Sequence, residues 1–587
     1  MTSEQGNVVK FFIKKKSTTP YPLVKMSIQQ NLFLVIEKIV IKNIAEYLLA
    51  NTLAHAQHHL LVRLNDKIDF SHLDKLAAKY HHASGAGAPV EHSGLKMIRA
   101  LLVKYLYDLS LRELEERLNS DLLVRWFVGY TFTERAPDHT TLERFEMWVN
   151  AEHHSEVFDE ILRQIGEAFP RHGRVQIGDT YAMQANAAKE STVTLMRHLG
   201  RRLVEGAEES IPVALKLALD GYDLEKLLKP EKGKPEWLYN ESERAALLSR
   251  VALAARELHE RLSQMLAGRP TDEFPRLRQD LSALEKVFKD NLVFENDHAR
   301  ACTQKELGHF RLGSATDLDA TFRVHGKGEG SMTLGYNIQI AISQKNFVQT
   351  AIAFTGASGD QSSVAALVSG QENPPDKLIY DKAAGTGKTR AEVQQASGGK
   401  TLLSAQLPDY ASRNQVFSSF DFLLSSNGAA LTCPNGKTTA VAYPSQSGDG
   451  RVFRFFDFQC WSGSLPPAKK TRPDPACATR CPLWDQCREK DMGPRSIRQV
   501  FVTNYRSQVE AAQIYNHTDE FKQDMKLRPT VERVIFELTH YNGARRCRRI
   551  GLNNADWQAK MCAVAYNLKL WMRLTMKKQK QTGPSVG

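Results

Sequence analysis

Long hydrophobic runs are absent from this sequence. The most apolar early stretch, residues 32–41, is interrupted by Glu37 and Lys38 and is too short to cross a membrane. The first residues also lack the small-residue cleavage pattern of a secretory signal. Cysteine is scarce, with 8 residues in a chain of 587, so a disulfide scaffold is not indicated. These absences favour a protein of the reducing cytoplasm.

Positive charge exceeds negative charge. The formal net charge is +12 and the isoelectric point is about 9.1. A basic surface raises the local concentration of polyanions, so DNA or RNA is a favoured partner. The hydrophobic share of 42% is typical of globular proteins. Because 587 residues exceed what one hydrophobic core usually serves, we expect about three or four structural units.

Helical periodicity dominates residues 58–170. In LKMIRALLVKYLYDLSLRELEERLNSDLLVRWFVG, apolar residues recur at helical spacing. Ser110 with Glu113, and Thr140 with Glu143, form the pattern of a capping box at a helix start. Several short helices with tight turns fit a helix-turn-helix-like DNA-binding unit or a plain helical bundle. The pattern alone favours the bundle.

Strand and helix patterns alternate after this region. Residues 174–179 are typical of a strand, whereas residues 190–310 return to helical spacing. The strand pattern of residues 338–342 leads through the turn SQKN into residues 347–354, and LIYD predicts one more strand. This order predicts a mixed α/β structure, with a sheet flanked by helices.

The predicted organisation has one discontinuous core with several additions. The core comprises residues 171–189, 311–405 and 520–575. The additions are an N-terminal extension of uncertain role (1–57), a helical region (58–170), a helical insertion (190–310), a basic insertion with five cysteines (406–519) and a basic tail (576–587).

Three acidic residues occupy positions that suit metal-dependent chemistry. Asp179 ends the predicted strand VQIGD, Asp381 ends KLIYD, and Glu532 lies on the predicted helix TVERVIFELTHY. Neighbouring strand ends would bring the two aspartates together, and a packed helix can add the glutamate. Three carboxylates can hold two Mg²⁺ (or Mn²⁺) ions, which stabilise the attacking and leaving oxygens of a phosphodiester. Each acid alone is more often a capping or solvent-facing residue.

The predicted helix around Glu532 favours it over its neighbour Glu537. An apolar stripe runs through Val531, Val534, Ile535 and Leu538. Glu537 lies about 140° round the helix from Glu532, whereas Arg528 lies one turn earlier on the face of Glu532. Gly543 is the predicted helix stop. Beyond it lie four arginines that are suited to the phosphate backbone of DNA. Together with Arg528 they form the predicted DNA-binding set: Arg528, Arg545, Arg546, Arg548 and Arg549.

In combination, these motifs resemble those of DDE transposases of bacterial insertion sequences. The family's helical N-terminal transposase domain resembles YLYDLSLRELEERLNSDLLVRWFVG and PDHTTLERF, and its first-aspartate block resembles IGDTYAMQANA. The following sheet block and the second-aspartate block resemble GSATDLDATF, LGYNIQIAI and LIYDKAAGTG. The closing glutamate helix and its companion resemble VERVIFELTHYNGARRCRRIGLNNADWQAKMCAVAYNLKLWMRL. The resemblance covers residues 58–574, most of the chain.

The resemblance implies an RNase H-like fold for the core and catalytic, metal-binding roles for Asp179, Asp381 and Glu532. It also implies cleavage and joining at element ends, with double-stranded DNA as the partner and a homodimer or larger assembly on that DNA. Two positions depart from the family pattern. A tyrosine and a lysine often flank the glutamate by seven residues, but Met525 and Thr539 stand there. Those positions handle DNA in related enzymes, so the change concerns end recognition.

The cysteines allow two interpretations. Cys477, Cys481 and Cys487 are spaced C-x3-C-x5-C, and Cys460 lies upstream. Four thiolates would suit a structural Zn²⁺ site, but a set of reduced structural cysteines explains the pattern equally well. Elsewhere, AAGTGKT resembles the end of a phosphate-binding loop. Lys382 occupies the position of the required upstream glycine, so nucleotide binding is not predicted.

Three functions therefore remain to be compared. The favoured one is a transposase that cuts and joins DNA at the ends of its own element. The alternative is an inactive or repurposed transposase-derived protein that binds DNA without cutting it. A weaker third interpretation is a related nuclease that cleaves without joining. The presence of all three acids favours the first.

Overall fold

The computed structural model describes residues 28–81, 91–132, 134–229, 234–324, 332–408, 416–456, 461–462, 479–488 and 497–582. Over these residues the protein is a mixed α/β structure with a helical N-terminal region and a central curled sheet. The predicted fold class is confirmed at that level. None of the helices in the described ranges is long and apolar enough to span a lipid bilayer.

The N-terminal region is helical, as the periodicity predicts. Its helices are α1 (Ile28–His55), α2 (Leu60–Lys67), α3 (Ser71–Ala78), α4 (Gly94–Leu106), α5 (Leu111–Ser120), α6 (Leu122–Val128), α7 (His139–Glu152) and α8 (Glu156–Ala168). The predicted capping box of Ser110 and Glu113 is confirmed at the start of α5. The box predicted for Thr140 and Glu143 is wrong. Asp138 caps α7 instead, because its carboxylate accepts both the Thr141 amide and the Thr140 hydroxyl.

The central sheet combines antiparallel and parallel pairing. Its strands are β1 (Val175–Gln184), β4 (Thr321–Val324), β5 (Met332–Ser343), β6 (Val348–Thr355), β7 (Lys377–Ile379) and β8 (Leu402–Ser404). The order is β4-β5-β1-β7-β8, and β6 also pairs with β5. β4, β6 and β1 run antiparallel to β5, whereas β1, β7 and β8 run parallel to one another. The sheet is therefore mixed, as predicted.

β1 is longer than the predicted strand, and Asp179 does not end it. The strand continues to Gln184 because its pairing with β5 extends from Gln176–Ser343 to Gln184–Gly335. Tyr181 and Met183 stay buried along this extension. The alternating polar positions after Asp179 concealed the extension in the sequence.

Between β1 and β4, the chain forms a set of helices with a core of its own. The helices are α9 (Thr192–Ser210), α10 (Pro212–Ala218), α11 (Leu224–Leu228), α12 (Glu241–Met265) and α13 (Pro275–Asn291), followed by the hairpin of β2 (Leu292–Glu295) and β3 (His298–Ala301). Residues of α9, α12 and α13 pack into one apolar cluster. Val251, Leu258 and Leu262 of α12 are fully buried in this cluster, as their helical spacing predicts.

The second half of the chain adds small strands and several helices. The helices are α14 (Ala366–Ser369), α15 (Gly387–Ala396), α16 (Trp484–Cys487), α17 (Arg506–Asn516), α18 (Asp519–Leu527), α19 (Thr530–Tyr541) and α20 (Leu552–Thr582). The strands are β9 (Leu423–Leu424), β10 (Leu431–Thr432), β11 (Thr438–Thr439), β12 (Ala442–Pro444), β13 (Gly450–Phe455), β14 (Trp461–Ser462), β15 (Thr479–Arg480) and β16 (Arg498–Thr503). Among the described residues of this strand-rich part, six buried apolar residues form a small core.

α20 joins the N-terminal helices to the sheet. Its apolar residues belong to the same core cluster as α4, α8, β1 and β5. Its polar residues bond the backbone of β6. The Asn567 side chain bonds both the N–H and the C=O of Val348, and Asp556 accepts the N–H of Ala353. These side chains satisfy backbone groups of β6 that have no hydrogen-bond partner on a neighbouring strand.

A buried carboxylate connects three parts of this core. Glu146 of α7 accepts two hydrogen bonds of 2.6 Å from Nζ of Lys104 and one of 2.8 Å from the hydroxyl of Tyr105, both on α4. It also accepts bonds of 3.3 Å from Nε1 of Trp557 on α20 and from Nη2 of Arg549. Burial alone would raise the pKa of Glu146, but the charges of Lys104 and Arg549 outweigh it and keep the pKa below its ordinary value.

Replacing this carboxylate should destabilise the fold strongly. We expect Glu146→Gln to lower the free energy of unfolding by about 3–5 kcal/mol, because the buried ammonium of Lys104 would lose its counter-charge. Glu143→Gln is the matched control. Glu143 also pairs with Arg549, at 3.2 Å, but its side chain is 48% exposed, so its loss should cost about 1 kcal/mol or less. Urea unfolding followed by circular dichroism measures both, and equal losses would contradict the role of Glu146.

Candidate active site

The sheet register brings the two predicted aspartates to matching positions. β1 and β7 pair in parallel up to Ile177 and Ile379. Asp179 lies two residues beyond that pair within β1, and Asp381 lies two residues beyond it in extended backbone just past the end of β7. Residues two apart on a strand point to the same face, so the two side chains leave the sheet on the same side as the Ile177–Ile379 pair. The spacing of the two aspartates follows from backbone pairing.

Gly178 and Tyr380 make this approach possible. A Cβ atom on Gly178 would lie 2.6 Å from Cδ2 of Tyr380 and 3.1 Å from Leu367. The ring of Tyr380 therefore fills the space that any larger residue at 178 would need. Burial raises the pKa of Tyr380 well above its ordinary value, and the carboxylates of Asp179, Asp360 and Asp381 raise it further. Gly178, which precedes Asp179, thus packs against Tyr380, which precedes Asp381.

The side chain of Asp179 is more enclosed than that of Glu532. It is 15% exposed and accepts the N–H of Thr180 at 2.8 Å. Burial raises the pKa of Asp179, and the negative charges of Asp381 and Glu532 contribute in the same direction. The carboxylates are therefore close enough to interact electrostatically. Asp381 is held differently, because its side chain accepts the N–H of Ala383 at 3.0 Å and caps a short turn.

Glu532 lies in the first turn of α19. Val531, Val534 and Leu538 are buried in the core that also contains β1, which confirms the predicted apolar stripe, and Ile535 is half-buried. The side chain of Glu532 is 58% exposed. α19 ends at Tyr541, and Gly543 follows with a positive φ of 72°, as expected for a helix stop.

Arg528 connects Asp179 to Glu532. It lies between α18 and α19, and its Nη2 is 3.1 Å from Oδ2 of Asp179. Its Nη1 forms an ion pair with Oε1 of Glu532. The Nε of Arg528 is buried and has no hydrogen-bond partner among the described residues. One guanidinium therefore neutralises acids from two distant parts of the sequence.

The donor chemistry of these acids suits a hard divalent cation, which prefers carboxylate oxygens. In this structure, however, the three carboxylates do not surround a common metal position. In the described part of the chain, no three His, Cys, Asp or Glu side chains are placed to hold a metal ion. Arg528 occupies the space between two of the three predicted ligands.

A fourth acid near the site was missed in the sequence. Asp360 accepts hydrogen bonds of 3.0 Å from the Thr180 hydroxyl and from Nδ2 of Asn337, and Arg323 lies 3.6 Å from it. Arg323 also donates to the Thr180 hydroxyl at 2.8 Å. Asp360 follows β6 in the loop GASGDQSS. Its position after a predicted strand could have identified it in the sequence as a candidate site residue.

The arginine block is anchored to the end of β1. The N–H of Gln184 donates to the C=O of Arg545 at 2.9 Å, and the N–H of Cys547 donates to the C=O of Gln184 at 2.8 Å. Arg546 is thereby fixed beside Gln184, as an isolated parallel bridge. The loop that carries the arginines is therefore held by backbone hydrogen bonds to the strand that carries Asp179.

The four arginines of this block have two kinds of surroundings. Arg548 donates to the C=O of Leu109 at 2.7 Å and pairs with Asp108. Arg549 pairs with Glu143 and Glu146 at 3.2 and 3.3 Å. Arg545 and Arg546 are exposed, and no ion pair forms on them among the described residues. Arg548 and Arg549 therefore hold the N-terminal helices, whereas Arg545 and Arg546 remain open to a ligand.

A groove of about 1030 Å³ separates the arginine block from α5 and α7. Basic and polar side chains line it from both sides, among them Arg112, His139, Thr140, His540, Arg545 and Arg546. The sequence did not predict that three of these residues line a common groove, because they are single basic residues on separate helices: Arg112, His139 and His540. Asp108, Glu113 and Glu143 line the groove as well, so arginine and lysine side chains outnumber acidic ones by six to three.

The cysteines are only partly described. Cys460 and Cys477 lie outside the residues that the structure describes. Cys481 and Cys487 line a cavity of about 20 Å³ together with Cys433, whose Sγ accepts the N–H of Lys437 at 3.3 Å. These three described cysteines line one cavity, but they are not placed to hold a metal ion. The zinc site itself stays a prediction.

Two family models match the chain. The Transposase domain (DUF772) matches residues 51–147, which lie largely in the N-terminal helical region. The Transposase DDE domain matches residues 468–571, which include Arg528, Glu532 and the arginine block. Neither a curated protein nor a solved structure shows significant similarity to the chain.

Gly178 provides a direct test of how the site is positioned. We expect Gly178→Ala to lower the free energy of unfolding by about 1–3 kcal/mol, because the new methyl group would displace the buried ring of Tyr380. Gly166→Ala is the control, since Gly166 lies on α8 with nothing within 4 Å of its Cβ position. There the added methyl should stabilise the helix by about 0.5–1 kcal/mol. Urea unfolding of both variants gives the comparison, and a stabilising Gly178→Ala would show that the close packing is absent.

Proposed function

We propose that the chain is a DDE transposase of the insertion-sequence type, as the two domain matches support, and that it cleaves DNA at the ends of its element and transfers the strands into target DNA. The proposed catalytic residues are Asp179, Asp381 and Glu532. The observation that carries the proposal is the shared register of the two aspartates beyond the Ile177–Ile379 pair, with Glu532 joined to Asp179 through Arg528.

The sheet supports an RNase H-like core. In chain order, β1, β5 and β6 form an antiparallel set, and β7 and β8 add in parallel on the other side of β1. The two proposed aspartates lie on the two central strands of this arrangement or directly after them. α19 packs against β1 and adds the glutamate. These features favour the core that the family resemblance implies.

The proposed reaction has two steps at one site. Water would hydrolyse the strand at an element end and expose a 3′-hydroxyl, which would then attack the target DNA. Bound Mg²⁺ or Mn²⁺ ions would supply the positive charge that stabilises the attacking and leaving oxygens. The protein orients the carboxylates for this purpose. The Thr180 amide holds Asp179, the Ala383 amide holds Asp381, and the burial of Asp179 excludes water from one side of the site.

The groove beside the arginine block is the proposed path of double-stranded DNA. Arg545 and Arg546 face it without an ion pair among the described residues, so their guanidinium groups are available to phosphate oxygens. Arg548 and Arg549 would act indirectly, by holding the N-terminal helices that form the opposite wall. A homodimer or larger assembly on paired DNA ends belongs to the same proposal.

The alternative is a DNA-binding protein without cleavage activity. It draws on the departures at Met525 and Thr539. Thr539 lines the groove, but it carries no charge for a phosphate, and its hydroxyl donates to the C=O of Ile535 on its own helix. The presence and proximity of all three acids favours the active enzyme. A cleavage assay separates the two.

Each proposed catalytic acid should be indispensable for cleavage. We expect Asp179→Asn, Asp381→Asn and Glu532→Gln each to reduce Mg²⁺-dependent cleavage of DNA carrying the element's ends by about a thousandfold or more, because each removes a ligand charge worth several kcal/mol. Glu537→Gln is the control on the same helix, since Glu537 pairs with Arg573 at 3.1 Å instead of facing the site. Gel analysis of cleaved and joined products measures the outcome. DNA binding by the intact protein without any cleavage would support the inactive alternative.

The two arginine pairs should respond differently to substitution. We expect Arg545→Ala and Arg546→Ala each to weaken DNA binding and to lower the slope of log Kobs against log salt by about one unit, with little change in stability. Arg549→Ala should lower the free energy of unfolding, because Glu146 would lose one of its two basic partners. Fluorescence anisotropy across a salt series and urea unfolding provide the measurements. If Arg549→Ala had the larger effect on the salt slope, the assignment would be reversed.

A further inference from the structure

Arg528 lies where the proposed ligands would otherwise meet. Its guanidinium contacts Oδ2 of Asp179 at 3.1 Å and is ion-paired with Glu532. A divalent cation bound to the same carboxylates would compete with this guanidinium, because like charges a few ångströms apart repel each other by several kcal/mol near a protein surface. Binding of a divalent cation and of the Arg528 guanidinium to the same carboxylate oxygens is therefore unfavourable.

The guanidinium has a second possible ligand. Its side chain is 24% exposed, and its Nε has no hydrogen-bond partner among the described residues. The planar fork of an arginine fits a phosphate as well as it fits a carboxylate. A DNA phosphate at the site could therefore draw the guanidinium away from Asp179 and Glu532.

We infer that Arg528 couples DNA binding to metal binding by occupying the Asp179–Glu532 carboxylates until a DNA phosphate takes its guanidinium. Without DNA, Arg528 holds the two acids and lowers their affinity for divalent cations. With DNA, the freed carboxylates bind the cation more tightly. Linkage requires the converse, so a bound cation raises the affinity for DNA by the same factor. Arg528 is a positioning residue in this scheme, and the inference rests on the proposed metal-binding function of the acids.

The decisive measurement is Mn²⁺ binding to the full chain without DNA. Electron paramagnetic resonance of free Mn²⁺ gives the Kd for the wild type, Arg528→Gln, Arg528→Lys and Arg533→Gln. Arg533 is the matched control, because it is exposed on α19 next to Glu532 and forms no ion pair among the described residues. We expect Arg528→Gln to bind Mn²⁺ about tenfold more tightly than the wild type. Arg533→Gln should change the Kd by less than about twofold, and Arg528→Lys should stay near the wild type because it keeps the cation.

A second series adds duplex DNA carrying the element's ends. DNA phosphate can ligate the cation directly in every variant, so only the difference between variants reports on Arg528. The ratio of the Kd without DNA to the Kd with DNA should be about tenfold smaller in Arg528→Gln than in the wild type. Circular dichroism confirms that each variant is folded.

Two results would overturn the inference, and they differ from each other. If Asp179→Asn abolishes Mn²⁺ binding but Arg528→Gln leaves it unchanged or weaker, Arg528 only supports the acids, and the proposed metal site stands. If neither the wild type nor any variant binds Mn²⁺, the proposed metal site fails together with the coupling.

Discussion

The buried carboxylate of Glu146 is the interaction on which the rest of the architecture depends. It receives bonds from α4 and also from the arginine block and α20, which lie more than 400 residues later in the sequence. Without it, Lys104 would be a buried charge with no partner, and the N-terminal helices would lose one of their polar connections to the C-terminal helix. Because Glu146 and Glu143 hold Arg549, the loop that also carries Arg545 and Arg546 has a fixed position beside the groove.

The candidate site is assembled on the same principle, from short local elements joined over long distances. Asp179 and Asp381 owe their proximity to strand pairing, whereas Glu532 is brought in by the packing of α19 on β1. The helices between β1 and β4 have an apolar core of their own, so they interrupt the sequence of the sheet without disturbing its pairing. This separation explains how three acids spread over more than 350 residues can interact electrostatically.

Much of this could be predicted from the sequence, for identifiable reasons. The stripe of Val531, Val534 and Leu538 and the capping box at Ser110 are local patterns, and local patterns determine helices well. The length of β1 was underestimated because pairing with β5 continues past the apolar residues. The contact of Arg528 with Asp179, the Asp360 network and the different surroundings of Arg546 and Arg548 depend on tertiary contacts, which no spacing in the sequence encodes. The sequence therefore revealed which residues could act chemically, but it did not reveal the residues that they contact in the folded protein.

β1 also fixes a length. Asp179 lies in the middle of the strand, and Gln184, five residues later, holds the backbone of Arg545 and Cys547. Five residues of extended strand span roughly 17 Å. Because β1 is paired on both sides and Gln184 holds the loop through backbone hydrogen bonds, Asp179 and the start of the arginine loop keep a constant separation.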